Sequence, residues 1–249
     1  MRARRPEHGW PPAVSARALQ LHLPIELIRE PTLAEFLPGP NAEAAAAIRG
    51  TATGQGDPFL FLYGPPETGK THLLQAACLT AAAAKRQAHF IPLGRTGIAP
   101  GILEDLERLD LVAVDDVDRI AGDRGWELAL FNLFNRLREC GRALITSAAV
   151  GPADLALGLP DLRSRLHWGP RYRLLPLTEP DCEQLLVESA RRRGMAVGAE
   201  VTRYILTHHP RNPSALLDLV ERVDRLCLRE QRPPTIPVVR RVMRGESAE

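Results

Sequence analysis

Residues 64–72 read GPPETGKTH, and this short stretch constrains the fold more than any other part of the chain. Its two glycines, lysine and threonine match the pattern G-x-x-x-x-G-K-[ST], a loop that holds phosphate groups. Because the chain has only two lysines, a chance match is expected on the order of 0.001 times. The apolar run FLFLY precedes the loop and the helical pattern THLLQAACLTAAAAK follows it, which is the required context of strand, loop and helix.

The chemistry of such a loop follows from its backbone and from two side chains. Backbone N–H groups of the loop and of the following helix surround the phosphates. Lys70 brings positive charge to the β- and γ-phosphates, and the Thr71 hydroxyl ligates Mg²⁺. A plain glycine-rich turn is the weaker interpretation, since lysine is so rare here. The predicted nucleotide-binding residues of the loop are Gly64, Pro65, Pro66, Glu67, Thr68, Gly69, Lys70, Thr71 and His72.

The rest of the pattern predicts an α/β protein with a parallel sheet covered on both faces. The strands predicted besides FLFLY (59–63) are HFIPL (89–93), LVAVDD (111–116), ALITS (143–147) and RYRLLPL (171–177). Helical spacing lies between them, in a helix from about Asn41 and in another from Trp126 to Cys140. Strands that alternate with helices favour a parallel sheet. Residues 179–249 show helical periods only and predict a small separate helical domain.

Two carboxylates end the third predicted strand. Asp115 and Asp116 are expected at the carboxyl edge of the sheet, where ligands bind in such folds. Asp115 would hold Mg²⁺ through water, and Asp116 could orient an attacking water. A capped strand end is the alternative, because aspartate is common in turns. The loop upstream makes the functional interpretation the stronger one.

Composition excludes several other classes of protein. A net charge of +2 gives no large basic field for nucleic acid. The four cysteines lie more than forty residues apart, so no metal-binding spacing exists and reduced thiols are expected. The basic start MRARRPEHGWPP has no apolar run behind it, and no stretch is long and apolar enough to span a membrane. We therefore expect a cytoplasmic protein whose residues 1–18 are disordered.

Four segments carry a resemblance to a known family: GPPETGKTHLL, LVAVDDVDRIAG, WELALFNLFN and LPDLRSRLHWG. Together they resemble the AAA+ ATPases of the DnaA branch. Within that branch the chain is similar to the Hda family of regulators, because QLHLPI at residues 20–25 resembles the hexapeptide with which those proteins dock on the sliding clamp. The expected end after the helical segment, without a DNA-binding helix-turn-helix domain, points the same way.

The resemblance implies an AAA+ αβα sandwich followed by a small all-helical lid. The implied division is a disordered extension (1–18), a clamp-binding segment (19–27), the nucleotide-binding domain (28–177) and the lid (178–249). In the clamp-binding segment, Gln20 would satisfy backbone groups of the clamp. The apolar contact would come from Leu21, Leu23, Pro24 and Ile25.

The resemblance also assigns roles to single residues. Arg165 matches an arginine finger, which acts on the nucleotide of a neighbouring subunit, with a helix-end salt bridge as the alternative. Arg211 matches the sensor-2 arginine, which reaches the phosphates of the protein's own nucleotide. Ser147 falls near sensor 1, with Thr146 as its rival. Glu67 departs from the family, because the usual loop has glycine there and a positive φ would strain a glutamate.

A regulator of this kind would hold ADP or ATP with Mg²⁺ at Thr71 and Asp115 and would have little ATPase activity of its own. Its partners would be DnaA and the β sliding clamp of DNA polymerase III. It would reach DNA only through the clamp and would not bind a membrane, and whether it forms homo-oligomers stays open. It would stimulate hydrolysis of DnaA-bound ATP and so limit initiation. An autonomous AAA+ ATPase, such as a helicase loader, is the alternative. An adaptor that loads DnaA instead of inactivating it also stays open.

Overall fold

The structure, a computed structural model, describes residues 31–245. The predicted disordered extension and the predicted clamp-binding segment therefore lie outside the described residues. Five strands form a parallel sheet in the order β2-β3-β4-β1-β5. Their bounds are β1 Phe59–Tyr63, β2 Ala88–Pro92, β3 Leu111–Asp115, β4 Ala143–Ala148 and β5 Arg171–Arg173.

Helices cover both faces of this sheet. On one face α1 (Ala42–Thr53) and α2 (Lys70–Ala83) pack on the central strands through small and branched apolar side chains. On the other face α3 (Arg124–Glu139) and α4 (Pro160–Leu166) bury the larger side chains, including Phe134 and Leu137. The expected αβα sandwich is therefore confirmed.

The four remaining helices form the lid, which has a core of its own. They are α5 Glu179–Arg192, α6 Ala199–His208, α7 Pro213–Glu230 and α8 Ile236–Met243. Local signals set where these helices begin. The Thr178 hydroxyl and the Asp181 carboxylate cap α5 reciprocally, and the Asn212 side chain accepts a hydrogen bond from the Ala215 N–H at 2.7 Å at the start of α7.

The predicted strand over residues 171–177 is wrong in length, since β5 ends at Arg173. The Leu174 N–H still donates to the Tyr63 carbonyl at 2.7 Å. At Leu175 the buried side chain of Asn41 takes the place of a neighbouring strand, because its amide donates to the Leu175 carbonyl at 2.9 Å and accepts the Leu175 N–H at 2.8 Å. The chain thus leaves the sheet immediately before the lid begins.

β1 has the predicted bounds, and apart from β5 the other predicted strands and helices of the αβα domain differ from the sequence-based bounds by one or two residues. The sequence predicts β2 one residue too late. The helix predicted from Trp126 begins at Arg124, because the Asp123 carboxylate caps it by accepting the N–H groups of Gly125 and Trp126. Within residues 31–245, no helix has the length and apolar character needed to cross a membrane.

Candidate nucleotide site and arginine surface

The phosphate loop lies between β1 and α2 and closes around the ammonium group of Lys70. That group donates hydrogen bonds to the carbonyls of Gly64 at 2.8 Å and Pro65 at 2.9 Å, and the Lys70 side chain is almost wholly buried. The Thr68 hydroxyl tightens the same loop by donating to the Pro65 carbonyl at 3.0 Å. Burial lowers the pKa of Lys70, while the carboxylates of Asp116 and Asp115 oppose that shift.

Asp115 joins the loop to the sheet and forms the candidate magnesium site. Its carboxylate accepts a hydrogen bond from the Thr71 hydroxyl at 2.6 Å and another, on its second oxygen, from the Ser147 hydroxyl. Asp115 is 2% exposed, so these two hydroxyls replace most of its water. Oxygen ligands of this kind suit Mg²⁺, which would take Thr71 and Asp115 here.

The structure distinguishes Ser147 from its rival Thr146. The Ser147 hydroxyl bonds to Asp115 and also accepts the N–H of Asp116 at 3.1 Å. Adjacent residues of a strand point to opposite faces, and the Thr146 hydroxyl instead lies 3.4 Å from the Leu60 carbonyl of β1. Of the two, Ser147 is the residue brought to the candidate site.

Asp116 stands at the end of β3 with φ 60°, in the left-handed region. Burial raises the pKa of its carboxyl, and the charges of Asp115 and Asp118 raise it further, against the opposing charges of Arg119 and Lys70. A raised pKa makes a carboxylate a stronger proton acceptor, which suits a residue that orients water.

A cavity beside the loop is shared with the lid. Its walls combine apolar side chains with the carboxylates of two glutamates, and the lining residues are Glu35, Phe36, Leu37, Glu67, Thr68, Gly69, His72, Leu177, Leu185, Pro213, Ser214 and Leu217. His72, the unusual residue after Thr71, lies here with its Nε2 2.9 Å from the Thr32 carbonyl and its ring 5.7 Å from that of Phe36. This arrangement can enclose a planar base next to the phosphate loop.

The structure does not bring Arg211 to this cavity or to the loop. Its guanidinium donates to the Leu206 carbonyl at 2.8 Å and pairs with Glu179 at 3.0 Å, within the lid. Ser214, one turn further along and inside α7, is the residue that lines the cavity. Arg211 precedes the N-cap Asn212, so its side chain leaves the chain before α7 begins, whereas Ser214 lies in the first turn of that helix.

Arg165 lies in the last turn of α4, away from the phosphate loop. Between residues 31 and 245 its guanidinium has neither a hydrogen bond nor an ion pair, in contrast to the helix-end salt bridge that was the alternative. Arg163, two residues earlier in the same helix, donates to the Leu157 carbonyl at 2.7 Å. Arg163 is thus bonded within the protein, whereas the guanidinium of Arg165 has no polar partner among the described residues.

Glu127 positions the segment that leads into α4, and the sequence interpretation missed it. Its buried carboxylate accepts N–H groups from Gly122 at 2.7 Å, Gly158 at 3.0 Å and Leu159 at 2.6 Å. The available signal was a charged residue on the apolar face of α3, three residues before Leu130.

A five-stranded parallel sheet, a phosphate loop, an acidic strand end and a helical lid together define an AAA+ protein. The family model for the bacterial DnaA ATPase domain matches residues 27–172, and the model for the Hda lid domain matches residues 179–243. The chain therefore belongs to the bacterial DnaA family of AAA+ proteins, and its lid is of the Hda type.

Solved structures share this fold. Domain III of the replication initiation protein DnaA of Thermotoga maritima is 21% identical with a TM-score of 0.72, covering 85% of this chain and 94% of that one. AMPPCP-bound DnaA from Aquifex aeolicus is 22% identical with a TM-score of 0.69, covering 89% and 71%. A mutant of the Thermotoga maritima protein RuvB is 18% identical with a TM-score of 0.66, covering 88% and 73%.

We predict that Lys70→Ala lowers the affinity for ADP by at least tenfold, because the loop then has no ammonium group for the phosphates. Arg211→Ala serves as the matched control. The ADP affinity of this variant should stay within about twofold of the parent, because the guanidinium of Arg211 is paired with Glu179 in the lid. Isothermal calorimetry measures both. A large loss of ADP affinity in Arg211→Ala would show that this side chain moves to the phosphates when nucleotide binds.

A second prediction concerns Glu67, which has φ 63° in the phosphate loop. Glu67→Gly should raise the free energy of unfolding by about 0.5–1 kcal/mol, since glycine adopts this conformation without steric cost. It should also tighten ADP binding, because a negative charge leaves the cavity beside the phosphates.

Lys85 provides the control for that experiment. It too has a positive φ, 59°, but lies just beyond the far end of α2. Lys85→Gly should therefore stabilise the fold to a similar extent while leaving the ADP affinity unchanged. Equal changes in affinity for the two variants, measured by calorimetry beside chemical denaturation, would contradict an electrostatic role for Glu67.

Proposed function

We propose that this protein is a negative regulator of replication initiation that binds nucleotide, docks on the DNA-loaded sliding clamp and stimulates hydrolysis of ATP bound to DnaA. Arg165 would serve as the arginine finger that acts in trans. DNA would be reached only through the clamp. This proposal begins from membership of the DnaA family with an Hda-type lid.

One observation carries the proposal: the guanidinium of Arg165 is free of polar partners in the described chain, at the surface end of α4. A finger must keep its N–H donors available for a neighbour's γ-phosphate, where a guanidinium neutralises developing charge. Glu127, through its three backbone contacts, fixes the approach to the helix that presents it. An arginine that only stabilised this chain would be expected to use its donors as Arg163 does.

The protein's own nucleotide would sit in the loop with its base in the cavity under the lid. ADP is the nucleotide that we favour for the active form. In support, the guanidinium of Arg211 is engaged within the lid by the Leu206 carbonyl and Glu179, and it is the uncharged Ser214 that lines the cavity. Mg²⁺ would bind between Thr71 and Asp115.

An autonomous AAA+ ATPase is the second candidate, and a specific observation favours it. Lys70, Thr71, Asp115 and Asp116 form a complete set for phosphate, metal and water, and the raised pKa of Asp116 suits catalysis in cis. Steady ATP turnover by the isolated protein would support that function instead.

We predict that Arg165→Ala keeps its melting temperature and its own ADP affinity but loses stimulation of DnaA-bound ATP hydrolysis, by roughly 10³–10⁵ in the stimulated rate. Arg173→Ala, which removes an exposed arginine on β5, is the matched control and should stimulate normally. The assay follows release of phosphate from DnaA preloaded with labelled ATP, with DNA-loaded clamp present. Full stimulation by Arg165→Ala would refute the finger.

Clamp docking is tested separately through the hexapeptide QLHLPI. Changing Gln20 and Leu21 to alanine should abolish binding to the clamp, because the amide and one apolar anchor are lost together. The ADP affinity should be unaffected, which separates docking from the nucleotide site. Surface plasmon resonance on immobilised clamp gives the result, and clamp affinity equal to that of the parent would disprove this docking site.

A further inference from the structure

The guanidinium of Arg165 is held by aromatic rings rather than by polar groups. Its Cζ lies 5.2 Å from the ring centre of Trp168 and 5.9 Å from that of Phe131. Both distances fall within the range of a cation–π interaction, in which the face of a ring attracts a positive charge. Trp168 is 45% exposed and Phe131 is half-buried, so this contact is formed at the surface.

The Trp168 indole is itself fixed in place by its surroundings. The backbone N–H of Trp168 donates to the Arg165 carbonyl at 2.9 Å, and the indole ring meets the ring of Phe134 edge-on at 6.1 Å between centres. Phe134 stacks in turn on Phe59 of β1 at 4.5 Å. At Gly169, φ is 79°, and a side chain there would bring its Cβ within 2.1 Å of the Phe59 carbonyl, so only glycine allows this turn.

An aromatic contact has a particular advantage for an arginine that must bind phosphate. It constrains the long side chain without occupying any of its five N–H donors, which a salt bridge or a carbonyl contact would do. Because the side chain is already ordered, less conformational entropy is lost when the phosphate arrives. Trp168 can therefore improve the action of Arg165 without touching the nucleotide.

From this geometry we infer that Trp168 is a positioning residue for Arg165, which it holds by a cation–π contact so that the guanidinium is presented with its donors free. Phe131 contributes the second ring. The inference rests on the proposed function for its catalytic consequence, and on the free protein alone for the contact itself. The specific role belongs to the indole face, so another aromatic ring at residue 168 should replace it in part and an aliphatic side chain should not.

Arg138 supplies an internal control. Its Cζ lies 5.1 Å from the same indole centre, it is exposed, and it projects from the last turn of α3. If the Trp168 variants acted through a general loss of positive charge or of surface structure, Arg138→Ala would have the same effect. If they act through the alignment of Arg165, Arg138→Ala should have no effect.

The contact is tested first in the free protein, by proton NMR. Ring currents should shift the side-chain Nε–H resonance of Arg165 upfield, assigned by its loss in Arg165→Ala. Trp168→Leu should move this resonance toward the ordinary arginine position, and Trp168→Phe should keep part of the shift. An Arg165 resonance that is indifferent to Trp168→Leu would overturn the inference, whether or not DnaA is a partner.

The consequence is tested by stimulated hydrolysis of DnaA-bound ATP, titrated with each variant. Trp168→Leu should lower the maximal stimulated rate by roughly 3-fold to 10-fold while the half-saturating concentration stays unchanged, since the stack aligns the finger and does not bind DnaA. Trp168→Phe should restore most of the rate, and Arg138→Ala should match the parent. In an Arg165→Ala background, Trp168→Leu should have no further effect.

The outcomes separate this inference from the proposed function. A parent protein that does not stimulate DnaA refutes the proposed function, and the NMR shift then decides the contact alone. A stimulating parent with an equally active Trp168→Leu variant refutes the positioning role while leaving the finger intact. A change confined to the half-saturating concentration would also refute it, because Trp168 would then be a contact residue for the partner.

Discussion

The buried carboxylate of Asp115 is the group on which the arrangement of the nucleotide site depends. It ends β3, receives the Thr71 hydroxyl from the start of α2 and receives the Ser147 hydroxyl from β4. A charged group this deeply buried is costly unless hydrogen bonds replace its lost water. The helix after the loop and two strands must therefore meet at one point, which brings the candidate groups for phosphate, metal and water within reach of one another.

A second buried carboxylate has the same structural role beneath the helix that carries Arg165. Glu127 is 1% exposed and accepts three backbone N–H groups, two of them from the residues just before α4. A buried carboxylate is costly unless hydrogen bonds replace its lost water, so Glu127 holds the two loops against α3 in one arrangement. The protein thus places one anionic centre under its own nucleotide site and another under the helix that carries Arg165.

Much of this architecture could be predicted from the sequence, because strand, loop and helix patterns are local. The phosphate loop, its lysine and the acidic end of β3 follow from spacing alone. The choice between Ser147 and Thr146 did not, since it depends on which face of β4 meets Asp115. For Arg211, a sequence match gives its position just before α7 but not the direction of its side chain, which bonds to Leu206 and Glu179 within the lid.

The arginines show most clearly what sequence order cannot supply. Arg163, Arg165 and Arg211 carry the same charge, and short motifs bring two of them to the same helix. They differ in which groups accept hydrogen bonds from them. The Leu157 carbonyl accepts from Arg163, and the Leu206 carbonyl and the Glu179 carboxylate accept from Arg211. Arg165 contacts aromatic faces, which leave its donors available. A guanidinium can act on a phosphate only with donors that its own protein has not engaged. The tertiary environment of each arginine, more than its match to a motif, therefore determines which of them is fit to act in trans.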